Sequence, residues 1–485
     1  MEAQTAPTGP FAHGVASGDP LVDRVIIWTR VTPNSPDENF PVEWQIAADP
    51  GMRNVLQNGV TSTNSSFDFT VKVDVKRLDP GGTYYYQFSY RGALSPIGRT
   101  RTLPAGDIQR ARMAVVSCSN HPFGFFNAYR IIANREDLDA VVHLGDYIYE
   151  YAEGTYGTGA PLGRIPVPNK EIVTLTDYRQ RFGQYRLDPD LQEAHRQHPW
   201  ICVWDDHEST NDSWFGGAEN HQPETEGDWS QRRAVAALAW FEWMPVRENP
   251  FQNLGIYRNF RYGNLLDLTM LDTRLEARDQ QVAANSPLIA DPSRTLLGAT
   301  QEEWLYRQLA NSQGRGARWR VIGQQVMMGN LVGPDGILNP DQWDGYLGSR
   351  TRFLGFLAQQ RINNVVVLTG DIHSSWANEI AVNPFAPGTA AATRQAVEFV
   401  TTAVTSPGIE DPAQAVGLAQ QLRATHPHIQ YVDLQRRGYL LLDVDADRAQ
   451  GQWYHLATIR ERSTQESLAA TYFAANGEAR LQAGR

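Results

Sequence analysis

Two distant stretches of this chain share one pattern, and it restricts the fold more than any other feature. Between Ala140 and Tyr151 the run Val141 to Leu144 is short, apolar and rich in β-branched residues, and it stops at Gly145-Asp146. Such a run predicts a strand buried on both faces. Gly145 frees the backbone to turn. Asp146 is then delivered to the carboxyl end of the strand, where open α/β sheets place their chemistry. Asn363 to His373 repeats the design, with Val365 to Leu368 followed by Gly370-Asp371 and then His373. Two buried strands that each present Gly-Asp at a sheet edge, with an imidazole beside the second, suggest a metal site.

The surrounding sequence supplies the rest of an α/β domain. Apolar runs at Met113–Cys118, Trp200–Trp204, Leu265–Asp272, Arg318–Gln324, Val397–Thr402 and Tyr439–Val444 read as strands. Helical stretches at Asn127–Asn134, Asp228–Trp243 and Thr300–Asn311 alternate with them, which predicts layered α/β architecture. Thr300-Gln301-Glu302-Glu303 reads as a capping box opening the last of these helices. Residues before about 104 differ. Phe67 to Val75 alternates with period two, Leu78-Asp79-Pro80-Gly81-Gly82-Thr83 is turn chemistry, and Tyr84, Tyr86, Phe88 and Tyr90 share one face. That pattern predicts a β-sandwich whose aromatic stripe is its core. Ser467 to Leu481 reads as a helix.

Composition excludes some functions. The formal charge is −11, from 54 acidic and 43 basic residues, which disfavours non-specific binding to nucleic acid or to an anionic membrane. No apolar run is long enough to span a bilayer. Two cysteines, Cys118 and Cys202, allow no disulfide framework.

Polar clusters end five of the apolar runs. They are Cys118 with Asn120, Asp146 with Tyr149, Asp205 to His207 with Asn211 and Asp212, Gln324-Gln325, and Asp371 with His373. Singly, each has a bland reading. Cys118 would be a small buried hydrophobe, Tyr149 a core aromatic, and Asp205-Asp206-His207-Glu208 a helix N-terminus. His143 would be a satisfied core histidine and Arg130 a solvated helix residue. Jointly they lie at the same kind of position. Carboxylate and imidazole donors suit divalent or trivalent first-row metals, and all-oxygen donors suit calcium. A shared aspartate would bridge two ions, and Asp146 is the candidate.

These residues resemble a known family. His13 to Pro20, Ser117 to Asn120, Gly145 to Glu150, Trp204 to Glu208, Asn211-Asp212 and Thr369 to His373 together resemble the calcineurin-like metallophosphoesterases, and most closely the PhoD family of alkaline phosphatases and phosphodiesterases. The resemblance implies an αββα sandwich over 108–465, preceded by an all-β, fibronectin III-like domain over 8–104. It also implies that 466–485 forms a C-terminal helix or tail over the active site. It implies Fe(III) held by Cys118, Asp146, Tyr149 and a group from Asp371–His373, with Ca2+, more than one ion, held by Asp146, Asn211 and Asp371. Asp206 would be a further ligand or a support to one. Arg130 would contact phosphate, and His207 would protonate the leaving oxygen. Thiolate and phenolate stabilise Fe(III), which makes hydroxide available from water at moderate pH. The expected activity is a secreted, monomeric phosphoesterase acting on a small, lipid or polymeric phosphate ester. The start, Met1 to Pro7, lacks a basic n-region and an apolar h-region, so the chain reads as the mature form of a protein that the resemblance sends through the twin-arginine route. Phospholipase D-type cleavage of lipid headgroups, or a non-catalytic cell-surface binding protein with structural metals, are the alternatives.

Overall fold

The computed structural model describes residues 9–33, 39–248, 255–389 and 393–484. Met1 to Pro7, the segment read above for a leader, lies outside them. The Gly-Asp strands fall at Ala140–His143 and Val365–Thr369, in two different sheets. In the first, Ala140–His143 runs parallel to Arg110–Val116 on one side and Pro199–Cys202 on the other. In the second, Leu266–Met270, Trp319–Gly323, Val365–Thr369 and Arg394–Val400 are parallel neighbours. Parallel strands must be covered on both faces, and their alternation shows how. Leu268, Val321, Val366 and Leu368 share one buried core with Ala114, Val116, Leu440 and Leu442 of the first sheet. Ile322, Val365 and Val367, on the opposite pleat, pack with Leu305, Leu309, Phe353 and Leu354 of the helices Gly298–Gly314 and Leu347–Gln359. Helices Asn127–Ala133 and Pro189–Gln197 pack on the first sheet, with His195 stacked 3.8 Å from Trp200. The layers are helix, sheet, sheet, helix.

The N-terminal residues build a two-sheet β unit with its own core. Tyr84, Tyr86, Phe88 and Tyr90 are buried there with Val25, Ile27, Val42 and Ile46. One of its sheets is continuous with the first catalytic sheet: Ser17 and Gly18 pair in parallel with Pro199 and Trp200. A side chain at Gly18 would collide with the carbonyls of Pro245 and Trp200 at 2.4 and 2.6 Å, so this junction requires glycine. Asp19 locks it through a two-nitrogen ion pair to Arg258 at 2.7 and 2.9 Å.

Three local expectations are corrected. The C-terminal stretch is not a helix. Glu466–Ala475 and Leu481–Ala483 are strands at the edge of the ten-stranded sheet. Pairing with Arg448–Leu456, and the contacts of Tyr472 with Tyr431 and Trp453 at 5.9 and 6.4 Å, override the helix preference of an alanine-rich segment. The strands 448–456, 438–445 and 110–116 separate it from the Asp146 strand. The capping box at Thr300 does not form, because the helix already starts at Gly298, whose amide donates to the Thr295 hydroxyl. The strand expected from Phe67 starts at Thr70, since Asp68 and Phe69 take left-handed backbone after a turn capped by Asn64.

Candidate metal centre

Strand ends from both sheets meet on one side of the molecule. Cys118 N–H donates to Gly145 O at 3.1 Å, and Gly370 N–H to Gln325 O at 2.9 Å. Gly145 is indispensable here. Its φ is +108°, and a Cβ would lie 2.4 Å from both Cβ and N of Asp205. Gly145→Ala is therefore expected to lower the thermal unfolding midpoint and the bound-metal content together. The left-handed strain alone costs on the order of 1–3 kcal/mol. Unchanged values for both would show that the Asp205 loop can retreat.

Left-handed backbone recurs at Cys118, Asp146, Asp371 and His373, with φ of 61°, 57°, 62° and 56°. Non-glycine residues pay for this conformation, and it persists where the surroundings over-determine it. All four are residues expected from the sequence to hold metal. Their donor atoms fall into three adjoining groups, each with all atoms within 4.8 Å of one another: Cys118, Asp146 and His373; Asp146, Asp206 and His207; and Asp205, Asp206 and Asp371. Asp146 joins the first two and Asp206 the last two. Tyr149 belongs with the first group, since its hydroxyl donates to Asp146 Oδ2 at 3.0 Å and lies 3.3 Å from His373 Nε2.

Two histidines of these groups have one ring nitrogen held from behind. His373 Nδ1 is 2.8 Å from the Pro407 carbonyl, which leaves Nε2 toward Tyr149 and Asp146. His207 Nδ1 is 2.7 Å from Glu150 Oε2 and leaves Nε2 toward Asp146 and Asp206. A carboxylate or carbonyl behind the imidazole is the usual support of a metal-bound histidine. His143, by contrast, is a core residue. It lies 3.1 Å from the Tyr129 hydroxyl, and burial alone lowers it to about 3.

Other buried groups hold the loops in place. Glu208 accepts from the amides of Asp146, Tyr147 and Asp205 at 2.9, 2.6 and 2.8 Å, tying two ligand loops together. Gln325 accepts from Thr273 and donates to the carbonyls of Trp204 and Leu271. Arg274, fully buried, reaches Asp205 at 2.5 Å, both oxygens of Asp341 at 2.8 Å and Asp371 at 2.7 Å. Gln342 donates to the other Asp371 oxygen at 2.8 Å.

Charge at the centre is unbalanced toward the anions. Burial, reinforced by Asp205, Asp206 and Glu208 and opposed by His207, pushes the Asp146 carboxyl well above the ordinary range. Burial lifts Asp205 to about 7 and Glu208 to about 8. Burial would also raise Asp206, but Arg274 and His207 outweigh it and hold it low. Asp146 Oδ1 and Asp205 Oδ2 are buried with no hydrogen-bond partner among the described residues. Thiol, phenol, carboxylate and imidazole donors, orphaned carboxylate oxygens and excess negative charge are what cations would satisfy, so the residues fit a metal cluster. Asp371 and His373 are partly exposed, so the cluster opens to solvent on their side. A structural site would be closed.

Two expected residues have partners outside these groups. Arg130 forms an ion pair with Asp190 at 2.7 Å, joining the helices Asn127–Ala133 and Pro189–Gln197. It makes no hydrogen bond or ion pair with the ligand groups among the described residues. Asn211 donates its backbone N–H to Glu150 at 2.8 Å and its side-chain amide to Glu219 at 3.1 Å. Sequence reasoning passed over Arg274, although Asp272-Thr273-Arg274 ends the strand Leu266–Met270 just as the recognised clusters end theirs. Glu150 and Glu208 stood inside recognised motifs without a role.

The sequence model of the PhoD-like phosphatase family matches residues 113–453, and that of the family's N-terminal domain matches residues 1–104. The chain is 36% identical to alkaline phosphatase D of Bacillus subtilis (strain 168), over 96% of this chain and 80% of the relative. A solved structure of PhoD superposes with a TM-score of 0.90 at 34% identity, covering 100% of this chain and 93% of that one. The chain belongs to the PhoD-like phosphatase family and is a metal-dependent phosphoesterase.

Proposed function

We propose that the enzyme holds Fe(III) between Cys118, Asp146, Tyr149 and His373, and Ca2+ beside it at Asp146 and Asp206, with His207, Asn211 and Asp371 completing the oxygen-rich side. The observation that carries this reading is the convergence of thiol, phenol, carboxylate and imidazole on Asp146, which a second carboxylate group then shares. Anionic sulfur and phenolate oxygen favour a ferric ion, and carboxylate oxygens favour calcium. Asp371 keeps lone pairs for an ion while accepting from Arg274 and Gln342. Cations held there would supply Lewis-acid charge on the ester oxygens and lower the pKa of water.

The chain's own groups then have distinct tasks. Asp146 bridges. Glu150 and Pro407 set the tautomers of His207 and His373. Glu208 and Gln325 fix the loops that carry the ligands. His207, tied to Glu150 and facing two carboxylates, is assigned to the cations and not to the leaving oxygen. Arg130, tied to Asp190, is left out of phosphate binding.

The substrate is a phosphate mono- or diester entering past Asp371 and His373. The enzyme acts outside the cytoplasm, as its family resemblance implies. Among the described residues no helix is long and apolar enough to cross a membrane.

Elemental analysis with visible spectroscopy tests the metals. Purified protein should contain iron and calcium and show a broad tyrosinate-to-Fe(III) charge-transfer band that Tyr149→Phe bleaches. A colourless, iron-free enzyme with full turnover of a chromogenic phosphodiester would refute the iron assignment.

A further inference from the structure

Tyr149 is surrounded by one hydroxyl that the metal reading does not use. Ser406 is fully buried, and its Oγ lies 2.6 Å from the Tyr149 hydroxyl and 2.9 Å from the Cys118 carbonyl. Its position is fixed from several directions. Val404 N–H donates to Ser117 O at 3.0 Å, and Thr405 N–H to Cys118 O at 3.2 Å. The Thr405 hydroxyl donates to Asn120 O at 2.8 Å. Arg437 Nε donates to the Ser406 carbonyl at 2.5 Å, and Pro407 O faces His373 Nδ1. The segment 404–407, which follows the strand Arg394–Val400 of one sheet, is thus tied to the cysteine loop of the other.

A serine hydroxyl has one proton and here meets two acceptors, so the proton's destination depends on the state of Tyr149. As a phenol, Tyr149 donates to Asp146 Oδ2 and needs no donor. As a phenolate it is an anion, and hydrogen bonds to ionised oxygens are roughly twice as strong as neutral ones. The Ser406 proton then turns to Tyr149 Oη. The Cys118 carbonyl is not stranded, because Thr405 N–H still donates to it. The remaining partners of Tyr149 among the described residues, Asp146 and His373, would be engaged as ligands. Ser406 is then the donor left to the phenolate.

We infer that Ser406 is a positioning residue for the iron-bound tyrosinate: its hydroxyl donates to Tyr149 Oη and tunes how strongly that oxygen donates to the metal. This rests on the iron reading above. A donated hydrogen bond lowers the energy of the phenolate lone pairs, and removing it raises them.

Charge-transfer spectroscopy of the purified holoenzyme tests the inference. Ser406→Ala should move the visible band to longer wavelength, and Ser406→Thr, which keeps a hydroxyl, should leave it close to the wild-type position. In the wild type, transfer from H2O to D2O should shift the phenolate C–O stretch seen by resonance Raman, a readout that needs no variant to fold. A band that stays in place in Ser406→Ala, or a stretch unmoved in D2O, overturns the role of Ser406 and leaves the iron reading standing. A wild-type protein that remains colourless after reconstitution with ferric iron removes both.

Discussion

Asp146→Asn is expected to lower kcat/KM for a chromogenic phosphodiester by on the order of 10³-fold or more, the scale of losing several kcal/mol of Lewis-acid stabilisation. Asp146 is the carboxylate common to the thiol-imidazole group and the group of Asp206 and His207. Its Oδ1 has no hydrogen-bond partner among the described residues, and its Oδ2 accepts from Tyr149. Asparagine keeps the shape and offers one oxygen, but it brings an amide donor and no charge. The left-handed backbone at this position is one that asparagine tolerates well. The fold should therefore survive, with the circular dichroism near wild type, while iron or calcium content falls and the unfolding midpoint drops no further than that of the metal-stripped wild type. Turnover within a few-fold of wild type would defeat the assignment of Asp146 as the bridge.

Arg274→Met should act on the fold as much as on catalysis. The guanidinium is fully buried and serves Asp205, Asp341 and Asp371 at once, with Asp206 3.7 Å away. Removing one partner of a buried ion pair strands the other charges and typically costs about 3–5 kcal/mol. Methionine fills much of the volume, so the loss is electrostatic in the main. The expected result is a marked drop in the denaturation midpoint and poor metal retention. Arg274→Lys should recover little of either, since an ammonium cannot fork to three carboxylates. Wild-type stability in Arg274→Met would mean that the cations alone hold these carboxylates.

The β-sandwich core was legible because period-two alternation survives into the structure: Tyr84, Tyr86, Phe88 and Tyr90 all face inward. The C-terminal stretch was not. Alanine-rich sequence favours a helix locally, and only the presence of Arg448–Leu456 beside it selects a strand. Arg130 shows a related limit for contacts. Its place on a helix could be read, but its partner Asp190 lies on another helix that no local pattern connects to it.

The place of a polar side chain at a strand end is carried by short local patterns, because an apolar run that ends in Gly-Asp sets both a buried strand and the residue at its end. The sequence by itself therefore determined the two Gly-Asp strands, the delivery of Cys118, Asp146 and Asp371 to strand ends, and the β character of the first hundred residues. What only the tertiary structure decided is how those ends are grouped and what stands behind them: Glu150 behind His207, Glu208 across two loops, Arg274 among four carboxylates, and Ser406 against Tyr149. Those contacts join residues far apart in the chain and in different sheets. Their energies arise from burial and from the proximity of charges, which exist only once the two sheets have closed on each other.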